Sequence, residues 1–331
     1  MLNRLIEASL LQRLLVLVAA CVLVGLGLQA AKQLPIDAFP DVSPTQVKII
    51  LKAPGMTPEE VETRIVQPVE QELLGIPGQR SMRSVSKYAI ADITIDFEDG
   101  TDIYWARQQV GERYANAQGN LPTNISGGLA PVTTPLGEMF MFTIEGPLSL
   151  QEKRTLFDWT IRPQLRSIAG VADVNALGGS VRAFEVVPDP IKLAARGLSI
   201  AQLREALQAN NRNDGAGRLM AGEEALLVRA EGSIRTLDDV AATVIGQHQG
   251  STLRVGDVAE VRMGALTRYG AVTRNGQGET VQGLVLGLRG ADANKVVTQV
   301  RHKLDALSNT LPKGVRIEPF YDRGALVGQA V

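Results

Sequence analysis

Apolar residues run without a charge from Leu14 to Ala31, LLVLVAACVLVGLGLQAA, and the three hundred positions that follow break into short segments of period two or 3.6. Eighteen residues of helix reach roughly 27 Å, close to a hydrocarbon core of about 30 Å, so residues 14–31 are predicted to cross a membrane. Leu2, Leu5, Ile6 and Leu10 recur at helical spacing among Arg4, Glu7 and Arg13, which predicts an amphipathic surface helix over residues 1–13. Arg4 and Arg13 precede the span, whereas Asp37 and Asp41 follow soon after Lys32. The positive-inside bias then keeps the N-terminus in the cytoplasm and sends everything after the span to the other side. A cleaved signal peptide shares the order of basic then apolar residues, but it needs small residues at the first and third positions before the cut. Leu28-Gln29-Ala30 and Gln29-Ala30-Ala31 both fail that requirement, so the span reads as an uncleaved anchor.

Beyond the anchor, one pattern occurs twice. FEDGTDIYWARQQVGERYANAQGNLPTNI from Phe97 and LRGADANKVVTQVRHKLDALSNTLPKGV from Leu288 each pass from an apolar strand through Gly, a capping Asp and an amphipathic helix to a Leu-Pro stop. Gly100 to Pro122 and Gly290 to Pro312 are both 22 positions apart, so the frame is kept without a gap. Val296, Val297, Val300, Leu304 and Leu307 form one face of the second helix, which must bury against a sheet.

The earlier half of the first copy reads as strand 46–52, turn Ala53-Pro54-Gly55, and a helix opened by the capping box Thr57-Pro58-Glu59-Glu60 and kinked at Pro68. Strands 79–86 and 89–97 follow, the second alternating Ala91, Ile93, Ile95 and Phe97 with Asp92, Thr94 and Asp96. Strand, helix, strand, strand, helix and a short strand near Asn124 make the split βαβ of a ferredoxin-like layer. The second copy starts with strand 139–144, a helix over 150–167 and strands 171–177 and 182–187. Gly170 to Gly290 takes 120 positions where Gly78 to Gly100 takes 22, so about 98 residues are inserted. The fold class is therefore a membrane α+β protein: one transmembrane helix, then two ferredoxin-like layers at 32–135 and at 136–187 with 275–323. A small α+β domain at 188–274 interrupts the second layer.

Composition removes several functions. The 34 basic and 35 acidic residues give no cationic surface for nucleic acid. The only cysteine, Cys21, lies inside the anchor, so the rest forms neither a disulfide nor a thiolate metal site. No phosphate-cradling glycine loop, no H-E-x-x-H and no nucleophile elbow is present, so neither an ATPase nor a hydrolase is indicated and no cofactor is implied.

The segments PIDAFPDVSPTQV, APGMTPEEVE, MRSVSKY, FEDGTDIYWARQQVGERY, RPQLRSIAGVADVNALGG and FYDRGALV, in that order, resemble the heavy-metal efflux branch of the resistance-nodulation-division (RND) proton-driven exporters. DIYWARQ and FYDR resemble the metal branch more than the multidrug branch. The resemblance covers essentially the whole chain. It implies the first of many membrane helices, two porter subdomains and half of a docking region, in a homotrimer of the bacterial inner membrane with most of this chain in the periplasm. The implied partners are a periplasmic membrane-fusion adaptor and an outer-membrane channel. Residues 324–331 would lead into a second membrane helix, and the family's membrane-embedded proton relay and second porter half lie outside this sequence, which reads as an N-terminal portion.

Two carboxylates are candidate metal ligands: Glu138, at the mouth of strand 139–144, and Asp173, on strand 171–177. In a split βαβ these strands run parallel with one strand between them, so both acids can face one sheet margin and share a divalent cation such as zinc. The plainer reading is a turn acid and a polar-face aspartate. Met139 and Met141 share a strand face and offer thioethers to copper or silver, or else fill core. His248 and His302 read as solvated, and Tyr104, Trp105 and Trp159 as packing residues on helix faces. The competing functions are a copper/silver or multidrug pump and a membrane-anchored periplasmic binding or assembly module.

Overall fold

The structure, a computed structural model, describes the backbone of residues 11–33, 42–221, 224–230, 232–248 and 250–330. The expected surface helix over residues 1–13 lies outside them except for its last three positions. Helix α1 spans Arg13–Gln33, 21 residues or roughly 31 Å, and among the described residues it is the one helix long and apolar enough to cross a membrane. Its side chains from Leu14 to Ala30 are all exposed. Among the described residues it packs on no other element, so its leucines and valines are left for lipid or another apolar partner.

The first copy begins with β1 (Gln46–Lys52), whose Val47, Ile49 and Leu51 are buried while Lys48, Ile50 and Lys52 take the other face. Helix α2 (Pro58–Val61) opens on the expected capping box: the Glu60 amide donates to Thr57 Oγ1 at 3.3 Å and the Thr57 amide donates to the Glu60 carboxylate at 3.0 Å. A π-helical turn, Glu62–Val66, then leads into α3 (Gln67–Leu73). Strands β2 (Gln79–Lys87) and β3 (Ile90–Phe97), helix α4 (Ile103–Gln118, capped by Asp102) and β4 (Ser126–Leu129) complete the unit. The sheet order is β2-β3-β1-β4 with every neighbouring pair antiparallel. The helices cover one face of it, around Ile49, Leu51, Ile65, Leu73, Ile93 and Phe97.

The second copy repeats the plan with β5 (Glu138–Glu145), α5 (Leu150–Leu156), a π turn at Phe157–Ile161, α6 (Arg162–Arg166) and β6 (Val171–Gly178). Both π turns end two residues before a proline, Val66 before Pro68 and Ile161 before Pro163. The second proline lies a turn further from its cap than the first, and the π turn has moved with it. Proline is thus the cause: its ring collides with the carbonyl four residues back, and a wider turn removes the collision. The expected kink at Pro68 takes this form.

The chain then leaves the sheet. Strand β7 (Arg182–Pro188) is followed by α7 (Pro190–Ala195), α8 (Ile200–Asn210), the hairpin β8 (Asp214–Ala221) and β9 (Glu224–Ala230), and α9 (Leu237–Ala242). The hairpin β10 (Val244–His248) and β11 (Ser251–Arg254), α10 (Val255–Val258), β12 (Ala259–Ala265) and β13 (Val272–Thr273) close the excursion. Its own core contains Leu193, Leu203, Val240, Leu253, Val255 and Val258. Strand β7 pairs antiparallel with β12, Phe184 opposite Met263. Residues 182–187, expected in the second layer, are therefore one side of a stem ribbon, because their hydrogen-bond partners lie within the insertion.

Strand β14 (Glu279–Gly287), α11 (Ala293–Ser308), β15 (Arg316–Asp322) and α12 (Arg323–Ala330) return to the layer. The main path of this sheet runs β13-β14-β5-β15, with β6 also on β14. Read as copies, β6-β14-β5-β15 repeats β2-β3-β1-β4. Helix α11 buries Val296, Val297, Val300 and Leu304 as its spacing requires, worth roughly 1.5–3 kcal/mol each at most. Contacts divide the chain into two compact units, Met1–Thr143 with Ile161–Asn175 and Gly283–Val331, and Ile144–Thr160 with Ala176–Gln282.

Candidate functional site

The two carboxylates stand at one margin of the sheet. The Gly287 amide, at the end of β14, donates to the Gly137 carbonyl at 2.8 Å, and the next amide, Leu288, donates to the Gly170 carbonyl at 2.8 Å. The end of β14 therefore lies between the beginnings of β5 and β6. Glu138 is one residue past its anchor point and exposed; Asp173 is three past its own and half-buried. Two strand spacings across and about two residues along put their backbones roughly 12 Å apart. Carboxylates that share a zinc ion must each bring an oxygen to about 2.0–2.2 Å from it.

Asp173 already has partners. Its Oδ1 lies 3.3 Å from Arg162 Nη2 and 3.2 Å from Arg166 Nε, and it accepts the Val174 amide at 2.8 Å. Arg162 and Arg166 are one turn apart on α6, so the helix presents both guanidinium groups to one carboxylate. A cation reaching Asp173 would have to compete with two fixed positive charges. The clamp is the feature the sequence reading missed, although RPQLR places its arginines at the required spacing. No group of three or more His, Cys, Asp or Glu suited to a metal ion occurs among the described residues.

The methionines separate. Met139 is 4% exposed, and a Cβ built on Gly287 would lie 2.4 Å from its sulfur, so the thioether is packed onto β14. Met141 is half-buried. His302 is exposed on α11, as expected.

The aromatic residues do not pack as expected. Trp159 is 81% exposed, Tyr104 62% and Trp105 40%. Along the π turn and α6, Phe157, Ile161 and Leu165 already hold the core face, and Trp159, two positions out of phase with them, points away. On α4 that face belongs to Ala106, Val110, Tyr114 and Ala117. Asp96, on the polar side of the alternation along β3, is nevertheless buried and accepts hydrogen bonds from Ser81 and Arg83 at 2.8 and 2.9 Å.

Comparison with known proteins places this architecture. The AcrB/AcrD/AcrF family profile matches residues 5–331. The cation efflux system protein CzcA of Alcaligenes sp. (strain CT14) is 38% identical over 341 residues, which cover 100% of this chain and 32% of that protein. The nickel and cobalt resistance protein CnrA of Cupriavidus metallidurans is 38% identical over 361 residues, covering 99% and 34%. For the cation efflux system protein CusA of Escherichia coli (strain K12) the figures are 36% over 335 residues, 100% and 32%. A crystal structure of a heavy metal efflux pump superimposes with a TM-score of 0.87 at 34% identity, covering 96% of this chain and 32% of that one. The chain thus spans about a third of the length of the relatives it matches.

Proposed function

This chain belongs to the AcrB/AcrD/AcrF family of RND efflux transporters, and from that premise we propose that it is the N-terminal part of a proton-driven pump for divalent metal cations. The observation that carries the reading is the end-to-end match, in sequence and in fold, to heavy-metal efflux pumps. In this reading the two layered copies are porter subdomains and the excursion on the β7–β12 stem is the docking subdomain. The whole protein is a homotrimer in the inner membrane, joined to a periplasmic adaptor and an outer-membrane channel. It performs transport, with no enzymatic reaction of its own.

Divalent ions such as zinc, cobalt, nickel or cadmium are favoured over copper or silver by the chemistry of the margin. Glu138 offers an exposed carboxylate, a ligand suited to divalent ions and loose enough to release them, whereas Met139 keeps its sulfur inside the sheet. Asp173 completes the proposed pair only where Arg162 and Arg166 yield it. In the full-length protein Glu138→Gln is expected to lower zinc or cobalt resistance of a metal-sensitive host at unchanged membrane abundance, and Asp173→Asn to lower it less. Wild-type resistance in both variants removes the carboxylates from the transport path, and a defect confined to Met141→Ala under copper or silver transfers the site to the soft-ion reading.

The same proposal fixes topology: the N-terminus is cytoplasmic and the chain beyond Lys32 is periplasmic. Protease added to spheroplasts is expected to digest the layered region and spare the first residues. Protection of the whole chain in intact spheroplasts would reverse the orientation.

A further inference from the structure

The FYDR segment ends on a buried cation: Arg323 is 6% exposed, at the point where β15 gives way to α12. A guanidinium out of water is costly unless fixed partners replace its hydration, so what it bonds is held firmly in turn. Asp322 caps the helix, its Oδ1 accepting the Ala325 amide at 2.9 Å, and forms an ion pair with Arg301 of α11. Arg323 is directed instead to the neighbouring strand of the sheet. Its Nη1 donates to the Leu136 carbonyl, two residues before Glu138, so the end of β15 lies beside the beginning of β5. The layer itself does not demand an arginine there. Strands β4 and β15 both start 26 positions past the glycine of their frame, and the residue 33 positions past it is Thr133 in the first copy and Arg323 in the second.

What Arg323 holds is the mouth of β5. In the turn 134–137 the Gly137 amide donates to the Thr134 carbonyl at 2.9 Å, and the Gly137 carbonyl accepts the Gly287 amide at 2.8 Å. A Cβ built on Gly137 would lie 2.0 Å from Thr133 Oγ1, so the turn is closely packed. The bond from Arg323 to Leu136 is its third fixed point. Glu138 follows directly, exposed, and no side-chain hydrogen bond or ion pair among the described residues orients it. Its carboxylate is therefore placed through its backbone alone. A zinc ligand must bring its oxygen to about 2.0–2.2 Å from the ion, and such precision comes from the groups that hold the ligand's own support. We infer that Arg323 is a positioning residue for Glu138: it fixes the turn from which the carboxylate projects and so sets the affinity of this margin for a divalent cation. The inference rests on Glu138 as the metal ligand proposed above.

The test uses the full-length protein in proteoliposomes, with two separate readouts: zinc transport against zinc concentration, and deuterium exchange of the Gly137 and Gly287 amides. Arg323→Gln is expected to raise the half-saturating zinc concentration roughly ten-fold at little changed maximal rate, and to speed exchange at both amides roughly ten-fold or more. Arg323→Lys keeps a cationic donor and should stay within about three-fold of the parent in both readouts. On a Glu138→Gln background, Arg323→Gln should add less than about two-fold to the half-saturating concentration while its effect on exchange persists. A residue that only supports the fold would add its full effect on either background. Parental exchange in Arg323→Gln, or an equal rise of the half-saturating concentration on both backgrounds, overturns the inference. Faster exchange in Arg323→Gln together with parental half-saturation in Glu138→Gln overturns the metal reading instead, and leaves Arg323 as the clamp of the strand mouth.

Discussion

Replacing Gly127 with alanine is expected to destabilise the first layered copy by roughly 2–4 kcal/mol, among the larger effects a single methyl group can have. Gly127 sits on the short edge strand β4 opposite Leu51 of β1, with φ at +117°, a conformation that side-chain-bearing residues rarely adopt. A Cβ built there would lie 2.2 Å from the Ile50 carbonyl oxygen. That atom is backbone within a paired strand, so it has no rotamer to escape into. Relief requires β4 to move off β1, giving up the bonds that hold the sheet edge over α4. In thermal unfolding followed by far-UV circular dichroism, the midpoint should fall by roughly 10 °C or more, given about 4–8 °C per kcal/mol for a unit of this size.

Gly111, in the middle of α4, is the internal control. A Cβ there meets only Leu129 Cδ2 at 4.0 Å, an ordinary contact. Gly111→Ala should therefore raise stability by roughly 0.5–1 kcal/mol, since alanine loses less backbone freedom on helix formation. A midpoint for Gly127→Ala within about 2 °C of the parent would show that the edge strand adapts and that its glycine is not required.

The second large effect is expected where β5 meets β14. Phe142 is fully buried, and a Cβ on Gly283 would come within 2.3 Å of its ring. The ring thus occupies the space a side chain at 283 would need. Phe142→Ala should cost roughly 3–5 kcal/mol through lost burial and a cavity. Gly283→Ala alone should cost roughly 1–3 kcal/mol by overpacking, because a ring with no exposure cannot swing into solvent. On the Phe142→Ala background the clash is gone and the added methyl should cost little. The double-mutant cycle should therefore show a coupling of roughly 1–3 kcal/mol, measured by denaturant unfolding. Strict additivity would mean that the ring moves aside elsewhere and that this pair does not set the strand contact.

The features legible in the sequence are those whose causes lie within a few residues. The capping box at Thr57, the alternation along β3, the valine face of α11 and the uncharged run of α1 all depend on neighbours one to four positions apart. The duplication was readable as well, because it keeps its glycine, cap and proline frame across the chain. Pro68 announced a distortion, although only the structure showed it as a π turn, and showed the same turn before Pro163 where an uninterrupted helix was expected.

The remaining features depended on groups far apart in the chain. Residues 182–187 have the alternation of a sheet strand wherever they are placed, and their choice of partner, 260–265, rests on hydrogen bonds between segments more than seventy positions apart. Asp173 reads as a free polar-face carboxylate until α6 is docked and lays Arg162 and Arg166 against it. Met139 and Met141 alternate identically in the sequence, yet a glycine on the adjacent strand leaves room for the first to bury its sulfur. Trp159 is apolar enough for a core, but the core face of its helix was already filled. Periodicity determined which residues share a face; tertiary packing decided what each face meets, because strand pairing, ion pairing and exclusion of water depend on atoms that local sequence does not bring together.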